Sequence, residues 1–144
     1  IVSQSQPIML ENTLQHINKA APTGALIYII SDFGLVSDGL EQQLANLQKR
    51  CNVILITIDD PADHAIPPVG ALLCSKNIRE KCYVNTDSKS GRENCTKIWQ
   101  ENRRKLERIA GKIGIHTLCI ATDSEIQKEL SLGLKRISKR RRAA

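Results

Sequence analysis

Three apolar runs, each ending at a carboxylate, restrict this chain to a narrow set of folds. Residues 25–31 run into Ser31-Asp32, residues 51–58 into Asp59-Asp60-Pro61, and residues 115–121 into Thr122-Asp123. Runs that are continuously apolar, rather than alternating, are those of strands buried on both faces of a parallel sheet. Helical patterns separate them. Leu10, Leu14 and Ile17 recur at helical spacing until Ala21-Pro22-Thr23-Gly24 stops the helix. Leu40, Leu44 and Leu47 mark a second helix, with Ser37 as its expected N-cap. A long helix carries Cys95, Ile98, Trp99, Asn102, Leu106, Ile109, Ala110 and Ile113 on one stripe and ends at Gly114. Ile126, Leu130, Leu134 and Ile137 give the last helix, capped by Asp123 or Ser124.

The predicted fold class is α/β, a doubly wound and mostly parallel sheet. Pro61, Pro67, Pro68 and Gly70 interrupt the α/β rhythm, and residues 71–74 and 81–85 then read as an inserted hairpin. Three parallel strands are few for such a sheet, and a long apolar edge left open is a liability. The expectation is therefore a partial domain over residues 10–138, preceded by an irregular segment 1–9 and followed by a basic tail 139–144. The chain starts at Ile1 rather than Met, which fits a fragment or processed product.

Composition narrows the function classes. Aromatic residues make up 3% of the chain, so Ile, Leu, Val and Ala must fill the core. No apolar stretch approaches the roughly 20 residues that span a bilayer. The net charge of +6 comes from the last ten residues, which hold Lys135, Arg136, Lys139, Arg140, Arg141 and Arg142 and no acid. Without them the body is neutral. Such a tail can bind nucleic acid or anionic lipid by counterion release, or simply be the solvated end of the last helix, where cations are favoured. Five cysteines without a CxxC pair (Cys51, Cys74, Cys82, Cys95, Cys119) read as reduced structural thiols, hence a cytoplasmic setting. A zinc site from Cys74, Cys82 and Cys95 is the competing reading.

The strand ends carry the candidate chemistry. Asp32, Asp59, Asp60 and Asp123 converge on one rim, where open α/β sheets bind ligands and where clustered carboxylates suit a hard divalent cation. Strand-end aspartates also cap helices and close turns, which is their commoner role. No Walker or GxGxxG loop and no GxSxG elbow is present. Of the histidines, His16 and His116 lie inside element patterns, and His64 sits beside Asp63 in the proline-rich loop.

The ordered motifs resemble a known family. Pro-x-Gly-x-Leu-Ile-x-Ile-Ile-Ser-Asp-Phe spans 22–33, an Asp-Pro strand end lies at 60–61, and Pro67-Pro68-x-Gly70 follows. With the hairpin, the Arg-rich helix and Thr122-Asp123, this is similar, over residues 10–142, to the carboxyl-terminal half of the bacterial domain-of-unknown-function family 58. The resemblance implies a von Willebrand factor A-like fold with a metal-ion-dependent adhesion site. Asp32 matches that site's last Asp, and the Asp-x-Ser-x-Ser motif is expected upstream; Ile1 stands where Ile1-Val2-Ser3-Gln4-Ser5 would need its Asp. The implied cofactor is Mg in the full-length protein, with none expected on this fragment.

The family association implies a non-enzymatic adaptor working with MoxR-type AAA+ ATPases in protein assembly or maturation. Asp32, Asp59 and Asp60 are then the expected partner-binding residues, and Asp32 the expected metal residue. Further expectations are homo-oligomerisation through the open sheet edge and membrane attachment only through segments outside this sequence. The alternatives are a nucleic-acid or anionic-membrane binder using Lys139, Arg140, Arg141 and Arg142, and an enzyme using the acidic rim.

Overall fold

The computed structural model describes residues 10–75 and 81–143. In chain order the elements are α1 (Leu10–Ala20), β1 (Leu26–Ser31), α2 (Asp38–Gln48), β2 (Asn52–Asp59) and the single turn α3 (Pro61–His64). They continue with β3 (Ala71–Ser75), β4 (Lys81–Asn85), α4 (Lys89–Ile113), β5 (His116–Ala121) and α5 (Ile126–Ala143). Strands β1, β2 and β5 form a parallel sheet in that order, and β3 and β4 form a separate antiparallel pair. The mixed α/β architecture, the parallel sheet and the inserted hairpin all match the sequence expectation.

Strand β2 explains the layering. Val53 and Leu55 point to one face, where Ile29, Leu14, Leu40, Leu44, Leu47, Leu106 and Ile109 complete the main core. Helices α1, α2 and α4 thus cover that face. Ile54 and Ile56 point the other way and join Ile120, Ile137, Leu118, Leu130 and Leu134 under α5. Residues 53–57 are all buried, as a central strand covered on both sides requires.

The other two apolar runs differ from expectation. On the face beneath α5, Leu26, Tyr28 and Ile30 of β1 are 51%, 43% and 64% exposed. On the opposite face, Thr117 and Cys119 of β5 are exposed. The reason is the stagger of the two layers: the core under α1, α2 and α4 is built on residues of β1 and β2 and none of β5, whereas the cluster under α5 is built on residues of β2 and β5. Only β2 lies under both layers.

Several local expectations are also corrected. Ser37 stands at the N-cap of α2, but its side chain makes no cap hydrogen bond; the hydroxyl donates to Glu11 Oε1 instead. Ser124 Oγ donates to the Ala121 carbonyl, 2.8 Å away, closing the turn before α5. Ile98, placed on the buried stripe of α4, is 49% exposed, because the first half of α4 runs beside the hairpin rather than over the sheet. Cys51 is buried as a small hydrophobe, whereas Cys119 is exposed. Gly114 does end α4, in a left-handed conformation with φ 77° that suits a residue without Cβ. The α5 helix extends through the basic segment to Ala143. The segment 1–9 and the side chains of His64, Cys74, Cys82, Arg140, Arg141 and Arg142 lie outside the described residues.

The carboxylate rim as candidate functional site

Because the three strands are parallel, their carboxyl ends share one rim, and Asp32, Asp59, Asp60 and Asp123 all belong to it. The strand order is monotonic, however. Among the described strands there is no reversal of direction, and so no switch-point crevice of the kind that holds ligands in doubly wound sheets. The rim is an open surface. A shallow concavity of about 590 Å³ is lined by Glu101, Arg104, Glu107 and Arg108 of α4, none of them a strand-end residue.

Asp32 is presented by a loop pinned at each turn. The Phe33 amide donates to Ser31 Oγ at 3.0 Å, and the Gly34 amide donates to Asp32 Oδ1 at 3.2 Å. Ser31 Oγ in turn donates to Asp32 Oδ1 at 3.3 Å. Phe33 has φ 48°, a region that a bulky residue rarely enters, yet its ring is buried. Asn102 of α4 holds the loop in this shape. Its Nδ2 donates to the Phe33 carbonyl at 2.6 Å and its Oδ1 accepts from the Val36 amide at 2.9 Å. Backbone groups next to buried Phe33 and Val36 must find partners away from water, and this one amide side chain supplies two. The Asp32 carboxylate remains exposed.

The neighbouring carboxylates are engaged. Asp59 Oδ1 is paired with Arg103 Nη2 of α4, and the two side chains are only 13% and 14% exposed. The Cys119 thiol lies 3.1 Å from Asp59 Oδ2, as its hydrogen-bond donor. The Arg103 guanidinium sits over Trp99, 5.4 Å from the ring centroid. Its Nε and Nη1 are buried without a hydrogen-bond acceptor, so the ring face and the Asp59 charge carry their stabilisation. Asp60 caps α3: Oδ1 accepts from the Ala62 amide at 2.9 Å, and Oδ2 accepts from Thr122 Oγ1 at 3.3 Å. This second bond ties the ends of β2 and β5 together.

The donor set decides what the rim can hold. Among the described residues no group of three His, Cys, Asp or Glu side chains converges on one point. Asp59 faces Arg103 and Asp60 faces backbone and hydroxyl donors, which leaves a cation two exposed carboxylates, Asp32 after β1 and Asp123 after β5, at strand ends that β2 separates. The residues present therefore do not by themselves fit a magnesium centre, which needs several oxygen ligands or a bound phosphate. On α5, Lys135, Arg136 and Lys139 are exposed.

Sequence reasoning missed the two α4 residues that shape this rim. Asn102 was legible as a polar residue within an otherwise apolar helical stripe, whereas Arg103 lies off that stripe. A half-buried amide there is expected to be bonding something, but not until the loop is folded is its partner evident.

Comparison with curated proteins and with solved structures gives no significant match. No helix among the described residues is long and apolar enough to cross a membrane. The family model described as "Protein of unknown function DUF58" matches residues 3–105. The match starts earlier than the resemblance over 10–142 suggested and stops within α4, so β5 and α5 lie beyond it. It takes in β1, β2, the hairpin and the Asp32 loop with Asn102 and Arg103, well over half of the chain, and the chain belongs to the DUF58 family.

Proposed function

We propose that this chain is a non-enzymatic protein-interaction domain of von Willebrand factor A-like fold, an adaptor that works with a MoxR-type AAA+ ATPase in the cytoplasm. The observation that carries the reading is the Asp32 loop. An exposed carboxylate is held in one orientation by Asn102, Ser31 and a buried Phe33 in a strained backbone conformation. A recognition group fixed before its partner arrives loses little freedom on binding. Strain retained around an exposed group is a reason to assign it a role. Direct recognition by Asp32 is proposed, since the described residues do not complete a metal centre.

The test is the affinity of the purified chain for a MoxR-type ATPase, measured by biolayer interferometry. Asp32→Ala is expected to weaken binding at least tenfold, and Asp123→Ala to leave it unchanged. Binding indifferent to Asp32→Ala would overturn the reading. Duplex DNA in place of the ATPase addresses the second reading, which rests on exposed Lys135, Arg136 and Lys139 of α5. Tight, salt-dependent DNA binding without ATPase binding would establish that reading instead.

A further inference from the structure

The hairpin brings together two cysteines that the sequence holds apart. Strands β3 and β4 pair antiparallel, with Leu72 opposite Val84, Leu73 opposite Tyr83 and Cys74 opposite Cys82. Two of the chain's five cysteines therefore share one rung of the ladder. Directly opposite residues of an antiparallel pair have Cα atoms about 4.5–5.5 Å apart, inside the roughly 4.4–6.8 Å that a disulfide spans. The other three cysteines are placed elsewhere. Cys51 is buried just before β2, Cys95 is half-buried on α4, and Cys119 is on β5 with Asp59 as its acceptor.

The kind of rung decides how firmly a bridge would hold. At the base of the hairpin the Thr86 amide donates to the Gly70 carbonyl at 2.8 Å. Gly70 and Thr86 are thus a hydrogen-bonded pair. Pair type alternates along such a ladder, so Leu72–Val84 and Cys74–Cys82 are hydrogen-bonded pairs as well. These pairs keep their Cβ atoms about 5.5 Å apart, beyond the roughly 3.5–4.5 Å of a disulfide. A bridge here pulls the strands together against their own hydrogen bonds. Bridges under such a load are the readily reduced and regulatory ones, not permanent staples. Transient bridges are also the kind found where thiols are kept reduced.

The far end of the hairpin depends on its ladder. At the base, Thr86 is fully buried; its hydroxyl accepts from the Val69 amide at 2.9 Å and donates to the Gly70 carbonyl at 2.7 Å. Arg92 of α4 donates to the Thr86 and Asp87 carbonyls at 2.6 and 3.0 Å. Beyond this anchor Leu72, Leu73 and Tyr83 are 36%, 53% and 76% exposed, so little packing supports the strands. A two-stranded ladder is marginal by itself. Closing a ring over residues 74–82 removes conformational freedom from the opened hairpin and so holds it shut.

We propose that Cys74 and Cys82 are a redox-sensitive pair whose reversible disulfide sets how firmly the hairpin is closed, with glutathione disulfide as the oxidant. One cysteine thiolate attacks glutathione disulfide, giving a mixed disulfide and releasing one glutathione. The second thiolate attacks the protein sulfur of the mixed disulfide and releases the other. One S–S bond breaks and one forms; the two cysteines are oxidised, glutathione disulfide is reduced, and both thiol protons end on the two glutathiones. The pair lies on the hairpin, apart from Asp32, and the inference does not depend on the rim.

The test equilibrates the full chain in glutathione buffers from reduced to oxidised, then quenches with acid, alkylates and digests with trypsin. Trypsin cuts after Lys76, Arg79 and Lys81, between the two cysteines, so the bridge is read as two joined peptides. The joined peptides are expected in oxidised buffer and should vanish in excess reduced glutathione. Oxidation should also slow amide exchange at Leu72 and Val84 at least tenfold, with Ile54 and Leu55 of the parallel sheet unchanged. Cys74→Ser should abolish that slowing and leave Cys82 carrying a single glutathione. Peptide mapping of the unmutated chain decides the matter even where the variant misfolds. No joined peptides, a bridge from either cysteine to Cys95, a bridge that excess glutathione leaves intact, or unchanged exchange on oxidation overturns the inference. Stoichiometric zinc held by the reduced chain and lost in Cys74→Ser also overturns it, in favour of a thiolate metal site.

Discussion

The two ends of the sheet are built from similar apolar runs and are finished in opposite ways. Strand β5 buries Ile120 under α5 and turns Thr117 and Cys119 outward. Strand β1 buries Ile29 against the main core and turns Leu26, Tyr28 and Ile30 outward. One edge meets water with side chains that suit it; the other does not. The comparison shows that hydrophobicity along a strand reports how many faces can be covered, whereas the side chains at the uncovered positions report whether that edge is final.

The contrast within β1 itself is the place to break this comparison. Ile29→Ala removes a buried side chain from the main core and is expected to cost about 2–4 kcal/mol. Ile30→Ala, one residue on and 64% exposed, should stay within about 0.5 kcal/mol. Urea unfolding of the two variants measures both. Equal costs would mean that the outward side chains of β1 are covered in solution and that β1 and β5 are not different in kind.

A smaller effect is expected where β1 leaves the sheet. Its exit loop is held from a distance by Asn102 of α4, whereas β5 is closed locally by Ser124. Asn102→Ala strands the Phe33 carbonyl and the Val36 amide, and should cost about 1–3 kcal/mol. Amide exchange at Val36 should accelerate while that of β5 stays unchanged. Uniform acceleration across the sheet would show that Asn102 supports the core as a whole and not this loop.

The smallest expected effect concerns the start of α2, which leads from β1 to β2. A hydrogen bond from Lys105, and then its charge, hold the Asp38 carboxyl below the ordinary Asp value. The pair is exposed, so its contribution is slight and screened by salt. Being a depressed carboxylate, Asp38 contributes at neutral pH, and the contribution is lost as pH falls through its lowered value. In an NMR titration Lys105→Ala should raise the Asp38 midpoint toward that of a free Asp. No movement would remove Lys105 as the cause.

Much of this fold is legible from periodicity alone. The three parallel strands, their helices, the hairpin and the Gly114 stop follow from apolar spacing and backbone chemistry that act within a few residues. What was not legible depends on contacts distant in sequence. The pattern of 25–31 promises two buried faces, but coverage depends on where α5 lands. Ser37 is a good capping residue by type, yet Glu11 of another helix takes its hydroxyl. Asp59 reads as a free strand-end carboxylate until Arg103 of α4 is brought against it. The strand ends thus placed these carboxylates along one rim, while which of them are engaged depends on Arg103 of α4 for Asp59 and on Ala62 and Thr122 for Asp60.

The monotonic strand order also bears on how the molecule comes together. Leu26 meets Asn52 across one short crossover, whereas Ile54 meets His116 only after the hairpin and all of α4 have been traversed. Loop-closure entropy grows slowly, by only about 0.6 kcal/mol per doubling, but contacts between distant residues slow folding. Strands β1 and β2 are then expected to pair first. Until α5 arrives, Ile54 and Ile56 extend the Leu26, Tyr28 and Ile30 strip into one wide greasy surface. A newly made chain would carry that surface through synthesis, and mutations that delay α5, such as a side chain at Gly133 pressing on Leu118, would lengthen the interval in which it can aggregate.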